Sequence, residues 1–222
     1  MRSQLQKTLF VFLIITSTNS FAQRFIPGLI AGADATDIVG MDPRDTDFGK
    51  GGFVLGGLVS TKLSEKNSLQ FEITYIQKGS TQPADSSNNY VFNRIRFDYV
   101  EVPLMLKHKI KFNIKKKTVD RFYFEIGPSY GRLVRMNINQ NGAIFTDGNF
   151  RKNEFAINVG VGFAIVKNLY FNIRYSNSIL PVMIHPELLN TFFWYTFNKG
   201  DNVLFAFTLR YVFDPGEKKD KN

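Results

Sequence analysis

The 222-residue chain contains no cysteine. That absence excludes disulfide scaffolds, thiolate zinc sites, cysteine nucleophiles and a lipid-modified N-terminal cysteine together. Histidine is scarce, with His108 and His185 alone, so chemistry built on imidazole has two positions to draw on. Long apolar runs are missing too: nothing approaches the ~20 residues a spanning helix requires. Acid is in deficit, with 19 Asp plus Glu against 28 Lys plus Arg and a formal charge of +9. Apolar residues, at 44% of the chain, are too many for a disordered protein, and the length suits one all-β domain.

Residues 1–22 have a character of their own. Arg2 and Lys7 precede the apolar run Leu9 to Ile15, and the segment closes on Ser20-Phe21-Ala22 before Gln23. A basic start, a short apolar core and a small-x-small end describe a secretory signal peptide. The expected mature chain starts at Gln23 and leaves the cytoplasm.

Beyond it the dominant period is two. Val203, Phe205, Phe207, Leu209, Tyr211 and Phe213 share one face, and Leu204, Ala206, Thr208, Arg210 and Val212 the other. The stretches 69–76, 121–135, 154–165 and 169–176 alternate likewise, as does 95–107, where the apolar phase changes near Asp98 and a bulge is expected. Glycine-rich strands are expected at 26–36 and 51–62, giving eight strands in all. Long polar connections at 37–50, 80–93, 138–151 and 179–200 alternate with tight turns at 63–67 and 166–168 and an intermediate one at 108–120. Long loops at one end and short turns at the other is the arrangement of an eight-stranded antiparallel up-and-down transmembrane β-barrel, an all-β fold. The expected organisation is signal peptide 1–22, barrel 23–213 and charged tail 214–222.

Alternation has no sign until side-chain volume supplies one. Each of the six strands from Leu69 onward carries four to six large apolar or aromatic residues on its apolar face. An eight-stranded barrel has an interior just wide enough for modest side chains, and overpacking it is destabilising. The face bearing Gly127, Gly131, Ala156, Gly160, Gly162 and Ala164 suits that interior, so the apolar face meets lipid. The inward face then gathers Glu72, Glu101, Glu125, Glu154, Lys107, Arg135, Arg174 and Arg210. Charges in a poorly hydrated lumen must pair. The expectation is an interior ion-pair network that fills the barrel rather than an ion path.

Leu69 to Gly79 contains Glu72, Tyr75, Lys78 and Gly79 in an E-x-x-Y-x-x-K-G strand, and Tyr99 to Lys107 reads Tyr-Val-Glu-Val-Pro-Leu-Met-Leu-Lys. These segments, followed by the Gly127-Pro128 strand and the Gly160/Gly162 strand, resemble the PorT-like outer-membrane β-barrel family of Bacteroidota over nearly the whole mature chain. The resemblance implies a barrel in the cell outer membrane, in a family whose name-giving member serves type IX secretion. The aromatic end Tyr211-Val212-Phe213 resembles the signal read by the barrel-assembly machinery during insertion. Pro103 and Pro128 donate nothing to a ladder and are expected where pairing is relaxed.

No catalytic, cofactor or metal site is expected. A pair of His185 and Glu187 with Ser176 or Ser178 is the one constellation available to a lipid-modifying enzyme, and nothing in the sequence fixes its geometry. Asp34, Asp37, Asp42, Asp45 and Asp47 read as a solvated acidic loop rather than a calcium site. The loop 179–200 concentrates Phe192, Phe193, Trp194 and Tyr195, which suit an interfacial aromatic belt or a partner contact. Between Lys107 and Arg121 stand seven basic residues against one acid, Asp120. The basic excess is thereby assigned to one periplasmic turn facing anionic headgroups or, through Lys115, Lys116 and Lys117, an acidic envelope partner, and not to nucleic acid. The expected function is a non-enzymatic structural or accessory barrel of the cell envelope, with a link to a secretion or surface-assembly complex. The alternative is a surface binding or adhesion barrel acting through its loops.

Overall fold

A computed structural model describes residues 25–39, 48–86, 89–114, 117–146, 149–183 and 200–214. Eight long strands close on themselves: β1 (Phe25–Ile38), β2 (Lys50–Lys62), β3 (Asn67–Gln82), β4 (Asn93–Ile114), β5 (Lys117–Gln140), β7 (Asn153–Val166), β8 (Leu169–Ser178) and β9 (Asn202–Val212). Each pairs antiparallel with its chain neighbour, and β1 pairs with β9 to close the ring. The short β6 (Ala143–Phe145) is an appendage hairpinned onto the end of β5. Its turn is Asn141-Gly142, both at positive φ (49° and 90°), the backbone of a two-residue hairpin whose twist matches its strands.

The sign of the alternation follows the volume argument. On β9, Phe205, Phe207, Leu209 and Tyr211 are exposed, whereas Leu204, Ala206, Thr208 and Arg210 are buried. The same holds for Phe71 and Ile73 on β3, Leu104 and Leu106 on β4, and Phe155, Ile157 and Val161 on β7. The exposed apolar band is the lipid-facing surface of a transmembrane barrel. Aromatic contacts mark its upper edge, with ring centroids 5.5 Å apart for Phe53–Tyr75, 5.3 Å for Tyr130–Phe155 and 5.2 Å for Tyr175–Phe205.

The hydrogen-bond ladder is interrupted at both prolines. Pairing of β3 with β4 passes from Phe71↔Leu104 to Thr74↔Glu101, skipping Pro103. Pairing of β4 with β5 passes from Pro103↔Ser129 to Leu106↔Ile126, skipping Pro128.

Three expectations need correction. Residues 108–120 are not a turn of intermediate length: β4 and β5 continue to Asn113↔Thr118 and Ile114↔Lys117, leaving two residues between them. The alternation of Ile110, Phe112 and Ile114 carries the strand on. The phase of β4 does not break at Asp98 either. Ile95, Phe97, Tyr99, Glu101, Pro103 and Met105 all face inward; the lumen itself changes from charged to apolar. A bulge does lie at the level of Asp98, as expected, but its extra residue is on β5, where Asp98 opposes Arg135 and Tyr99 opposes Leu133, leaving Val134 unpaired. Arg135 is therefore exposed on the outer surface rather than in the lumen, because one added residue flips every later side chain to the other face.

At the extracellular end, Ile38, Ile95, Phe97, Tyr99 and Val182 form a buried apolar cluster against which Phe150 and Met183 pack. Backbone hydrogen bonds stitch the loop bases over it: Val182 N to Gly200 O at 2.7 Å, Gly200 N to Val39 O at 2.7 Å and Arg151 N to Val182 O at 2.8 Å. The expected signal peptide lies outside the described residues, and so does the tail beyond Asp214.

Candidate functional site

Many charged side chains converge in the lumen, and its strands supply them at fixed heights. Low in the barrel stand Glu72 on β3, Glu125 on β5, Arg174 on β8 and Arg210 on β9. Arg174 donates from Nε to Glu125 Oε1 at 2.9 Å, and from its two terminal nitrogens to Glu72 at 2.8 and 2.7 Å. Arg210 donates to both oxygens of Glu125, at 2.7 and 3.1 Å, and to Asn172 Oδ1 at 2.7 Å. The planar guanidinium fork matches a carboxylate bidentately, and two arginines on two glutamates leave no net charge. Space for this layer comes from Gly160, where an added Cβ would lie 3.0 Å from Glu125 Oε1.

A second layer sits nearer the extracellular end. Lys78 on β3 reaches Glu154 at 2.9 Å and Glu101 at 3.4 Å, and its ammonium lies 5.4 Å from the centre of the Tyr99 ring. Asn202 donates to Glu154 at 3.0 Å. Ser129 donates to Glu101 and accepts from Asn158 at 2.9 Å. Between the layers is a cavity of about 20 Å³ bordered by Thr74, Glu101, Asn158, Arg174 and Arg210, room for roughly one water molecule. Toward the periplasm, Lys107 donates to Gln70 at 3.2 Å and lies over the Tyr123 ring, 4.0 Å from its centre. The four glutamates thus face Arg174, Arg210, Lys78 and Lys107, a neutral set.

Seven of the eight expected network residues enter this arrangement, and Arg135 does not. Lys78 is the member that sequence reasoning missed. Its signal was present, since Glu72, Thr74, Ile76 and Lys78 share one face of β3. Asn158, Asn172 and Gln70, which complete the hydrogen bonding, are uncharged and so drew no attention. Asp34 and Asp37 belong to β1 and are buried, Asp37 accepting from Ser80 Oγ at 2.6 Å and the Ile38 amide at 2.8 Å; they are not part of a solvated loop. Asp42, Asp45 and Asp47 lie outside the described residues, as do His185, Glu187, Phe192, Phe193, Trp194, Tyr195, Lys115 and Lys116. Of Lys117 only its place at the start of β5 is described. His108 sits at the periplasmic rim with Nδ1 2.7 Å from Asn67 Oδ1.

A closed barrel with an apolar exterior and a packed, ion-paired interior defines an outer-membrane β-barrel protein. Residues 21–183 match the family model described as outer membrane protein beta-barrel domain, and the chain belongs to that family and resides in the outer membrane. Among solved structures, it is similar to Ail, the attachment invasion locus protein of Yersinia pestis, at 13% identity over 85% of this chain and 98% of that one, with a TM-score of 0.47. It is also similar to Neisserial surface protein A, at 11% identity over 84% and 95% with a TM-score of 0.43, and to CarO of Acinetobacter baumannii, at 11% over 84% and 98% with a TM-score of 0.45. No curated protein matches the chain.

Proposed function

We propose that this protein is a non-conducting, non-enzymatic barrel that serves as a structural or accessory component of the cell envelope, its exposed ends engaging an envelope partner. One observation carries the proposal: the lumen is occupied by two ion-paired layers separated by space for about one water, beneath an apolar cluster at the extracellular end. Buried charges matched this closely resist separation, because each left alone is strongly penalised. Such an interior stabilises and fills a barrel; it offers no continuous aqueous path. The Tyr99 to Lys107 strand supports a place in the PorT-like branch, and with it a link to secretion or surface assembly.

Planar-bilayer recordings test the closed lumen: purified protein is expected to give no conductance steps, and a reproducible unitary current sinks the reading. Affinity purification from detergent-solubilised outer membranes tests the accessory role. Stable envelope subunits are expected with the wild-type protein and fewer after neutralisation of Lys115, Lys116 and Lys117. A second reading, surface binding through the loops, draws on the exposed Ile144 and Phe145 of β6 (62% and 47%), apolar residues on a hairpin above the membrane. Loss of cell-surface attachment on replacing both with serine, with subunit capture unchanged, favours that reading over the first.

A further inference from the structure

The bulge that expels Arg135 from the lumen also assembles something outside it. By alternation Arg94, Arg96 and Asp98 fall on the same face of β4 as the lipid-facing Val100, Leu104 and Leu106, with Arg94 exposed, Arg96 half-buried and Asp98 buried. On β5, Arg132 opposes Val100 and Arg135 opposes Asp98, while Asn137 and Asn139 oppose Arg96 and Arg94. Arg132 and Arg135, three apart in sequence, therefore stand as next neighbours on one face, because Val134 is the unpaired residue between them. Directly opposed residues lie ~5 Å apart and next neighbours on one face ~7 Å, so the four arginines fill a strip roughly 20 Å long. Among the described residues Asp98 is the acid that answers them, and Arg96 grips it through two bonds at 2.8 and 3.2 Å. Arg94, Arg132 and Arg135 are exposed, and Arg132 is braced by Asn153 Oδ1 at 2.6 Å.

Height determines what this patch meets. Tyr130, the outward residue just below Arg132, is 40% exposed and meets Phe155 in a tilted ring contact. Outward-facing aromatics of this kind mark the membrane interface of a barrel. The arginines begin one step above it and face sideways, along the membrane plane, where the headgroups of the outer leaflet lie. A cluster of guanidinium forks and side-chain amides carrying three excess positive charges is complementary to phosphate.

We propose that Arg94, Arg96, Arg132 and Arg135 form a binding site for the phosphorylated headgroup of an outer-leaflet glycolipid. The site fixes the depth and rotation of the barrel in its membrane and tethers a lipid to the β4–β5 face.

The full-length mature protein, folded in non-ionic detergent, is titrated with bisphosphorylated lipid A and with the same lipid after enzymatic dephosphorylation, and binding is read by native mass spectrometry. The phosphorylated form is expected to bind at least about tenfold more tightly than the dephosphorylated one. R132Q/R135Q is expected to remove most of that difference, and R132K/R135K to fall between, since lysine keeps the charge and loses the bidentate fork. All substituted side chains are exposed, and retained heat-modifiability on gels verifies folding of each variant. Salt provides a readout independent of any variant: raising it from roughly 50 to 500 mM is expected to weaken wild-type binding about tenfold. Equal binding of both lipids, unchanged binding in R132Q/R135Q or salt-independent affinity overturns the proposal. Displacement of the lipid by millimolar inorganic phosphate, or equal affinity for a soluble phosphorylated glycan, overturns the assignment to a membrane lipid.

Discussion

Replacing Glu125 with glutamine removes one charge from the lower ion layer while leaving its volume nearly unchanged. Glu125 has no exposed surface and accepts from Arg174 once and from Arg210 twice. In E125Q a single carboxylate, Glu72, faces two guanidinium groups, and the new amide NH2 points donors at donors. Lys107, nearby at the periplasmic end, adds to the repulsion. Removing one partner of a buried ion pair costs about 3–5 kcal/mol, because the charge left behind is uncompensated. No cavity contribution enters, since the side chains are isosteric. With a urea dependence of ~2 kcal/mol per molar, the unfolding midpoint of the barrel in detergent micelles is expected to fall by roughly 1.5–2.5 M. Circular dichroism and heat-modifiability follow it in parallel. The companion E125Q/R210M restores neutrality and is expected to recover most of the loss. The reasoning is refuted if E125Q unfolds within about 0.5 kcal/mol of wild type, or if the double variant is no more stable than the single one.

Three other perturbations probe the fold independently. G160A places a methyl 3.0 Å from Glu125 Oε1 and 2.9 Å from the Ile173 carbonyl oxygen; a loss of about 1–3 kcal/mol is expected from the same urea titration, and an unchanged midpoint counts against tight packing there. F97A removes a fully buried ring that contacts Tyr99 and Phe150 at centroid distances of 6.1 and 4.9 Å. It is expected to cost about 3–5 kcal/mol and to speed proteolysis of the extracellular loops on whole cells; wild-type proteolysis rates contradict the apolar cap. Because the chain has no cysteine, single-cysteine variants report facing without background. R135C is expected to react with a membrane-impermeant maleimide on intact cells and E154C to stay unlabelled, and the reverse pattern places Arg135 in the lumen after all.

The sequence by itself determined the strands, their number and which face meets lipid. Period two is a local property of each strand, and side-chain volume decides its sign wherever the interior is as narrow as this one. Phe205, Phe207 and Leu209 could not all fit inside, whereas Gly160 and Gly162 could. The glutamates and arginines of the lower layer were legible as inward-facing for the same reason. What pairs with what was decided only by closure of the barrel: Arg174 and Glu72 are 102 residues apart, and no local pattern says that β8 and β3 hold them at one height across the lumen. The fate of Arg135 also escaped the sequence. Val134 reads as an ordinary strand residue, yet its exclusion from the β4–β5 ladder turns Arg135 outward beside Arg132. A bulge is set by how two strands register against each other, and a shift of one residue is enough to move a charge from the interior of the barrel to its membrane surface.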